Sequence, residues 1–350
     1  MLKSGFRRGW REMARGARGR RPALAGSTIA HLPEEVRERA ALVALLRLSG
    51  GWPLIACDLL ARKSAVALLD VAVTSRDMLL PGPDLIDELI DGAAVLMWRW
   101  KAEGVAVHTV RDPSYPPQLR EIRDPAPLVF TRGRMADDTR SAAVVGTCQA
   151  SERGLAIATE VASSLARHRI TVVSGLAAGI DTAAHRAALA AGGRTVAVIG
   201  TGIQRHHPAA NRDLQDRIGH DGLVLSRFWP DELPRRRRFL LRNAVMSRYA
   251  AATVVVEGGE RSGVRNQARL ALQHGRPVVL LRDLLVHEWA RALSRRPGVA
   301  VAGTPGEAVE AVGRILVRGP AERPRAGLVR GPAERPGAGP VRWRDRCGTA

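Results

Sequence analysis

At 350 residues, 45% of them hydrophobic, the chain is long enough for one large or two smaller packed domains. Its net charge of +20 favours a polyanionic partner over a neutral or acidic one. No apolar run approaches the roughly 18 residues that cross a bilayer, which excludes a helical membrane span from the expected architecture.

Only three of the 54 basic residues are lysine (Lys3, Lys63 and Lys101), so the charge is almost all arginine in an Ala/Gly/Arg-rich chain. Part of that excess reads as compositional bias on solvated faces, and where the arginines sit must decide their role. Cys57, Cys148 and Cys347 are far apart and form no CxxC or Cys/His cluster. Neither a disulfide framework nor a metal site is expected, and a reducing cytoplasm fits best.

In chain order, residues 1–30 are Arg/Gly-rich without a hydrophobic period and read as a disordered basic arm. Residues 31–104 read as a small all-helical domain, opening with "LPEEVRERAALVALLRLSG", whose leucines group on one side before Gly50 and Gly51. A proline-dense connector leads into a second domain, residues 105–317. There "AAVVG", "ITVVSG", "TVAVIG", "GLVLS", "ATVVVEGG" and "PVVLL" recur, each followed by a helical or loop segment. Short apolar strands alternating with helices predict a doubly wound, mostly parallel, Rossmann-like α/β sheet. Two near-identical units, "LVRGPAERPRAG" and "LVRGPAERPGAG", run from Leu316 to Gly339, and residues 318–350 read as a disordered Pro/Gly/Arg repeat tail.

In such a sheet, ligands bind beyond the carboxyl ends of the strands. Glycine loops fall at that edge, and the expected pocket lining is Gly146, Thr147, Ser174, Gly175, Gly179, Asp181, His185, Gly200, Gly202, Glu257, Ser262 and Gly263. The stretch "SGLAAGIDTAAH" reads as strand, glycine turn and helix, with Asp181 capping the helix and His185 packed behind it. Neither Ser174 nor Ser262 sits in a G-x-S-x-G elbow, no G-x-G-x-x-G follows the first strand, and no G-K-[ST] occurs. Serine hydrolysis, dinucleotide redox chemistry and P-loop NTP hydrolysis lose their usual support, and no cofactor is expected.

Polyanion binding remains. "PRRRRFLLRN" places Arg235, Arg236, Arg237 and Arg238 before Phe239, with Arg242 and Asn243 one turn further on. Basic residues around one aromatic suit a groove that tracks a nucleic-acid backbone and stacks a base.

The ordered series "YPPQLREIRDPAPLVFTRG", "AVVGTCQASERG", "VVSGLAAGIDTAAHRAAL", "GRTVAVIGTGIQRHHPAAN", "RFLLRN", "VVVEGGERSG" and "HGRPVVLL" resembles the DNA-processing protein A (DprA/Smf) family from about Tyr115 to Leu281. That resemblance implies a Rossmann-like core that binds single-stranded DNA without cutting it, forms a homodimer and helps load the RecA recombinase in DNA uptake or recombination. It places Arg242 and Asn243 on the family's Arg-Asn pair and Phe239 on the aromatic ahead of it. Departures mark a divergent member: Cys148 and Ala244 stand where the family carries arginines, Arg227 where it carries an acid, and Gln267 where it carries a threonine. No winged-helix pattern is evident toward the C-terminus. The alternatives are a nucleotide-binding sensor or phosphoribohydrolase-like enzyme on a similar fold, partly suggested by "VVVEGGERSG", and a protein–protein scaffold.

Overall fold

The structure, a computed structural model, describes residues 32–49, 59, 64–74, 83–120, 125–260 and 262–317. The basic arm and the repeat tail expected at the two ends lie outside the described residues. The division between two compact units falls between Phe130 and Thr131.

In the first unit, α1 (Glu34–Ser49), α2 (Ala65–Thr74) and α3 (Pro83–Ala102) precede a short strand, β1 (Ala106–Thr109), and the single turn α4 (Pro117–Arg120). Leu42, Leu46, Leu69, Leu89 and Ile90 are buried among these helices. Glu38 ties two of them, accepting from the Ser64 hydroxyl (2.7 Å) and the Ala65 N–H (2.5 Å) at the start of α2. β2 (Leu128–Gly133) contributes Phe130, which meets Trp100 edge-on at 5.3 Å. Much of the proline-dense connector is thus ordered here: Tyr115 is buried and its hydroxyl donates to the Ala126 carbonyl at 2.9 Å.

The second unit is the Rossmann-like domain. Its strands are β3 (Ser141–Val145), β4 (Thr171–Ser174), β5 (Thr195–Val198), β6 (Leu223–Ser226), β7 (Ala252–Val255), β8 (Val278–Leu281) and β9 (Val299–Ala302). They lie in the order β6-β5-β4-β3-β7-β8-β9, every pair parallel. The first six coincide with the apolar runs of the sequence, and β3 to β8 are buried along their whole length, as a sheet covered on both faces requires. β9 was not among the expected strands. It is a half-exposed edge, "VAVA", whose alternation is too short to stand out beside the arginines before it.

α5 (Glu152–Arg167), α6 (Ile180–Ala190) and α11 (Pro305–Val317) pack around one core with Ala142 and Val144 of β3 and Val254 of β7. α7 (Arg212–Asp221) joins β5 to β6, α10 (Glu288–Ser294) joins β8 to β9, and α8 (Arg236–Tyr249) with α9 (Gly263–Gln273) pack as a pair outside that core. Strand order reverses between β3 and β7, and beyond the carboxyl ends at such a switch point open α/β sheets bind their ligands. α8 is the return connection, and it carries the arginine run to that edge.

Candidate nucleic-acid interface at the carboxyl edge of the sheet

At the switch point itself the loops are stitched together by the protein. The Thr147 N–H donates to the Glu257 carbonyl (2.9 Å), and the Glu257 carboxylate accepts from the Ser151 N–H and hydroxyl (3.1 and 3.0 Å). Gly146 leaves room for Ile180, and Gly179, at φ +74°, lets the next loop lie against the Thr147 carbonyl. Ser262 caps α9 by accepting from the Val264 N–H (3.3 Å), with open space beside Gly263. Of the expected lining, Gly146, Thr147, Gly179 and Glu257 therefore hold loops to one another.

Asp181 does not cap α6 as expected. It is the second residue of that helix, and its carboxylate turns back over the preceding loop to accept from the Gly175 N–H (3.1 Å) and the Ala177 N–H (3.3 Å). His185 is fully buried, and its Nδ1 meets the Thr195 hydroxyl at 2.7 Å. That hydroxyl also donates to the Val172 carbonyl (2.9 Å), so Nδ1 carries a hydrogen. Burial, then the charge of Arg242, holds the His185 pKa down at about 3. Ser174 is equally enclosed, its hydroxyl donating to the Val144 carbonyl at 2.7 Å. Hydroxyl, carboxylate and imidazole each serve the backbone or a neighbouring strand.

Three residues outside the expected set shape the loop. Asn211, buried, donates from Nδ2 to the Leu176 carbonyl (3.1 Å) and to the Thr182 hydroxyl (2.7 Å). It holds Leu176 at φ +60°, a conformation costing a residue with a β-carbon roughly 1 kcal/mol or more. Gln215 donates to the carbonyls of Ile203 (3.3 Å) and Arg205 (3.1 Å), fixing the loop after β5. The third, His207, lies with its ring 5.5 Å from that of Phe239. Composition and periodicity mark none of the three, although His207 and Asn211 fall within the family-like run "GRTVAVIGTGIQRHHPAAN".

α8 closes over Gly175 and Gly200. A β-carbon at Gly175 would collide with Nη1 of Arg242, and one at Gly200 would lie 2.6 Å from the Phe239 ring. These glycines leave room for the close approach of α8. Arg242 is 6% exposed; Nη1 donates to the Val198 carbonyl (3.3 Å) and stands 3.8 Å from Asp181. Burial lowers its pKa and Asp181 pulls it back up, while burial raises that of Asp181 against the pull of Arg242. Phe239 is half-buried, with its ring 6.0 Å from the Arg242 guanidinium and 5.5 Å from the tilted His207 ring. Asn243 is buried beside Arg242 in sequence.

The arginine run divides. Arg238 is drawn back into an ion pair with Glu232 and a hydrogen bond to the Leu233 carbonyl, and it lies over the Phe228 ring at 5.7 Å. Arg235, Arg236 and Arg237 are exposed. They occupy the cap and first two positions of α8, where there is no acidic residue and no side-chain cap. Cations there oppose the helix dipole by about 0.3–1 kcal/mol each, whereas an anion would be stabilised. Gly202 is enclosed by Trp229, Pro230 and Glu232, so the loop leading to this run is anchored on the strand edge. The edge therefore presents a cationic helix start beside one aromatic ring.

The profile of the DNA recombination-mediator protein A family matches residues 106–295. The chain belongs to this family, also called DprA/Smf. It is 41% identical over 172 residues to DNA processing protein DprA of Streptococcus pneumoniae, covering 49% of this chain and 60% of that one. It is 40% identical over 192 residues to a putative DNA processing protein DprA of Mycobacterium tuberculosis, covering 54% and 49%. The chain thus spans about half the length of the curated relatives it matches. The solved structure of Streptococcus pneumoniae DprA superposes with a TM-score of 0.55 at 28% identity, covering 79% of this chain and 95% of that one. A Helicobacter pylori DNA processing protein A, whose structure concerns its single-stranded DNA binding mode, superposes with a TM-score of 0.53 at 22% identity, covering 59% and 96%, and shows the shared fold.

Two further points concern this DprA/Smf chain. Cys148, at the position where the resemblance places a family arginine, is disulfide-bonded. The sequence suggests no disulfide framework, and Cys148 departs from that expectation. Among the described residues no helix is long and apolar enough to cross a membrane, and no group of three or more His, Cys, Asp or Glu is placed to hold a metal ion.

Proposed function

We propose that this chain is a non-enzymatic single-stranded DNA-binding protein that acts in recombination or DNA uptake. It takes the strand at the mouth formed by Arg235, Arg236, Arg237 and Phe239 and, as a homodimer in the cytoplasm, helps load RecA. The observation that carries the reading is the start of α8: exposed arginines placed against the helix dipole, one turn from a half-buried ring at the sheet edge. A single strand offers phosphates to the arginines and an unpaired base face to the ring, whereas a duplex keeps its bases stacked. The family's description as a recombination mediator supports the same class of ligand.

The non-enzymatic part rests on the engaged side chains. Ser174 donates its hydroxyl hydrogen to a backbone carbonyl, and the enclosed His185 has its pKa held down at about 3, so neither is poised as nucleophile or base.

The test is a titration of the full chain with labelled single-stranded and duplex oligonucleotides at several salt concentrations, alongside an assay for base release from nucleoside monophosphates. Preference for single strands, with affinity falling as salt rises, is expected. Base release, or equal affinity for duplex, contradicts the reading.

A further inference from the structure

Resting on that reading, we infer that Arg242 is a positioning residue for the stacking ring and makes no phosphate contact itself. The arginine of the Arg-Asn pair is the obvious candidate to hold DNA, yet its guanidinium is placed for something else. It is almost fully enclosed, donates to the Val198 carbonyl at the end of β5, lies against Gly175 at the end of β4, and faces Asp181 at 3.8 Å. To reach a phosphate beyond the mouth it would have to abandon Asp181. That would leave a buried carboxylate without its counter-charge, a strongly unfavourable arrangement.

What Arg242 does touch is Phe239, one turn earlier on the same helix face, with 6.0 Å between guanidinium carbon and ring centre. The ring is bracketed by the Gly200 backbone, the Arg242 cation and the tilted His207 ring at 5.5 Å. Three supports on one small ring fix its plane before any strand arrives, which lowers the ordering cost of binding. Attraction between guanidinium and ring in this dry setting strengthens the bracket. Labour on α8 is thus divided: Arg235 to Arg237 meet phosphates, Phe239 meets a base, and Arg242 with its partner Asp181 holds Phe239 in place.

Salt dependence separates the two roles, because each phosphate contact to a single strand contributes about 0.7 to the slope of log K against log salt, and a buried strut contributes nothing. The experiment compares full-length wild type, Arg242→Gln, Arg242→Lys and the triple variant Arg235→Ser/Arg236→Ser/Arg237→Ser. Each is titrated with a thymidine oligonucleotide and with an abasic oligonucleotide of equal length. Arg242→Gln is expected to weaken thymidine binding about tenfold, the low end for one stacked base, with an unchanged salt slope and loss of the preference for bases over abasic sites. The triple variant is expected to do the opposite, losing about 2 from the slope while keeping the base preference. Should Arg242→Gln fail to fold, Arg242→Lys keeps a cation beside Asp181, and partial loss of base preference at unchanged slope is expected. A slope reduced by about 0.7 with base preference intact, in either Arg242 variant, overturns the inference. Failure of the wild type to bind either oligonucleotide overturns the functional reading instead, and leaves no ring-positioning role to assign.

Discussion

Two buried carboxylates sit at opposite ends of the same strands and are treated in opposite ways. Asp138, at the amino edge ahead of β3, is fully enclosed and accepts four hydrogen bonds: from the Thr171 hydroxyl (2.9 Å), Arg194 Nε and Nη2 (2.7 and 2.9 Å) and the Tyr249 hydroxyl (2.6 Å). Burial opposes the charge on Arg194, but Asp138 raises its pKa, while burial and Asp138 together push Tyr249 well above the usual phenol range. Asp181, at the carboxyl edge, accepts two longer bonds from backbone N–H groups and meets its arginine only at 3.8 Å. The Nε of that arginine is enclosed without a hydrogen-bond partner among the described residues. A buried carboxylate that accepts four hydrogen bonds rigidifies a fold, whereas a loosely paired one at the ligand-binding edge holds a working surface.

The largest expected effect breaks the amino edge. Asp138→Ala leaves the half-buried Arg194 without its carboxylate and should destabilise the chain by about 3 kcal/mol in urea unfolding, with single-strand affinity of the folded fraction unchanged. If affinity falls with stability, the two edges are not separable as described. At the carboxyl edge, Phe239→Ala should cost about 1–3 kcal/mol of single-strand binding with a much smaller change in unfolding midpoint, measured by fluorescence anisotropy and thermal melting.

A pH series sharpens the contrast further. His185 has a folded pKa of about 3, below its ordinary value near 6.5, so between those values the unfolded chain binds more protons than the native one. Stability should therefore fall as pH drops from about 6.5 toward 3, by at most about 1.4 kcal/mol per unit from this residue. His274, held at about 4 by burial and by Arg248 and Arg276, acts in the same direction. Asp181, whose pKa is raised, acts in the opposite sense, losing stability as pH climbs above the ordinary carboxylate range. His185→Gln should flatten the acid limb and leave the His274 part. An unchanged limb would mean that the imidazole is not enclosed as described.

The smallest expected effect concerns Arg238. Because it is spent on Glu232 and Leu233, Arg238→Ser should change the salt slope less than Arg237→Ser does, when both are titrated side by side.

Much of the sheet was legible in the sequence because its strands are buried on both faces. "AAVVG" and "TVAVIG" are continuous apolar runs between turn signals, and such runs admit few other readings. β9 was missed because an edge strand buries only part of itself, and the connector around Tyr115 because prolines mask a packed loop. The candidate site was legible in residue type and not in role. The glycines stood out, yet only the structure shows that Gly175 and Gly200 accommodate Arg242 and Phe239. Asp181 was read as a helix cap because sequence spacing places it at a helix start but cannot show its carboxylate turning backward. Asn211, Gln215 and His207 act through contacts to residues well away in sequence, which periodicity does not reveal.

The central claim is that DNA meets the carboxyl edge at the start of α8, and photocross-linking tests it most directly. A single-stranded oligonucleotide carrying 5-iodouracil, bound to the full-length chain and irradiated, should cross-link to the peptide containing Phe239, as read by mass spectrometry, and Phe239→Ala should abolish that product. Cross-links confined to other peptides, with none between Arg235 and Asn243, would contradict the account.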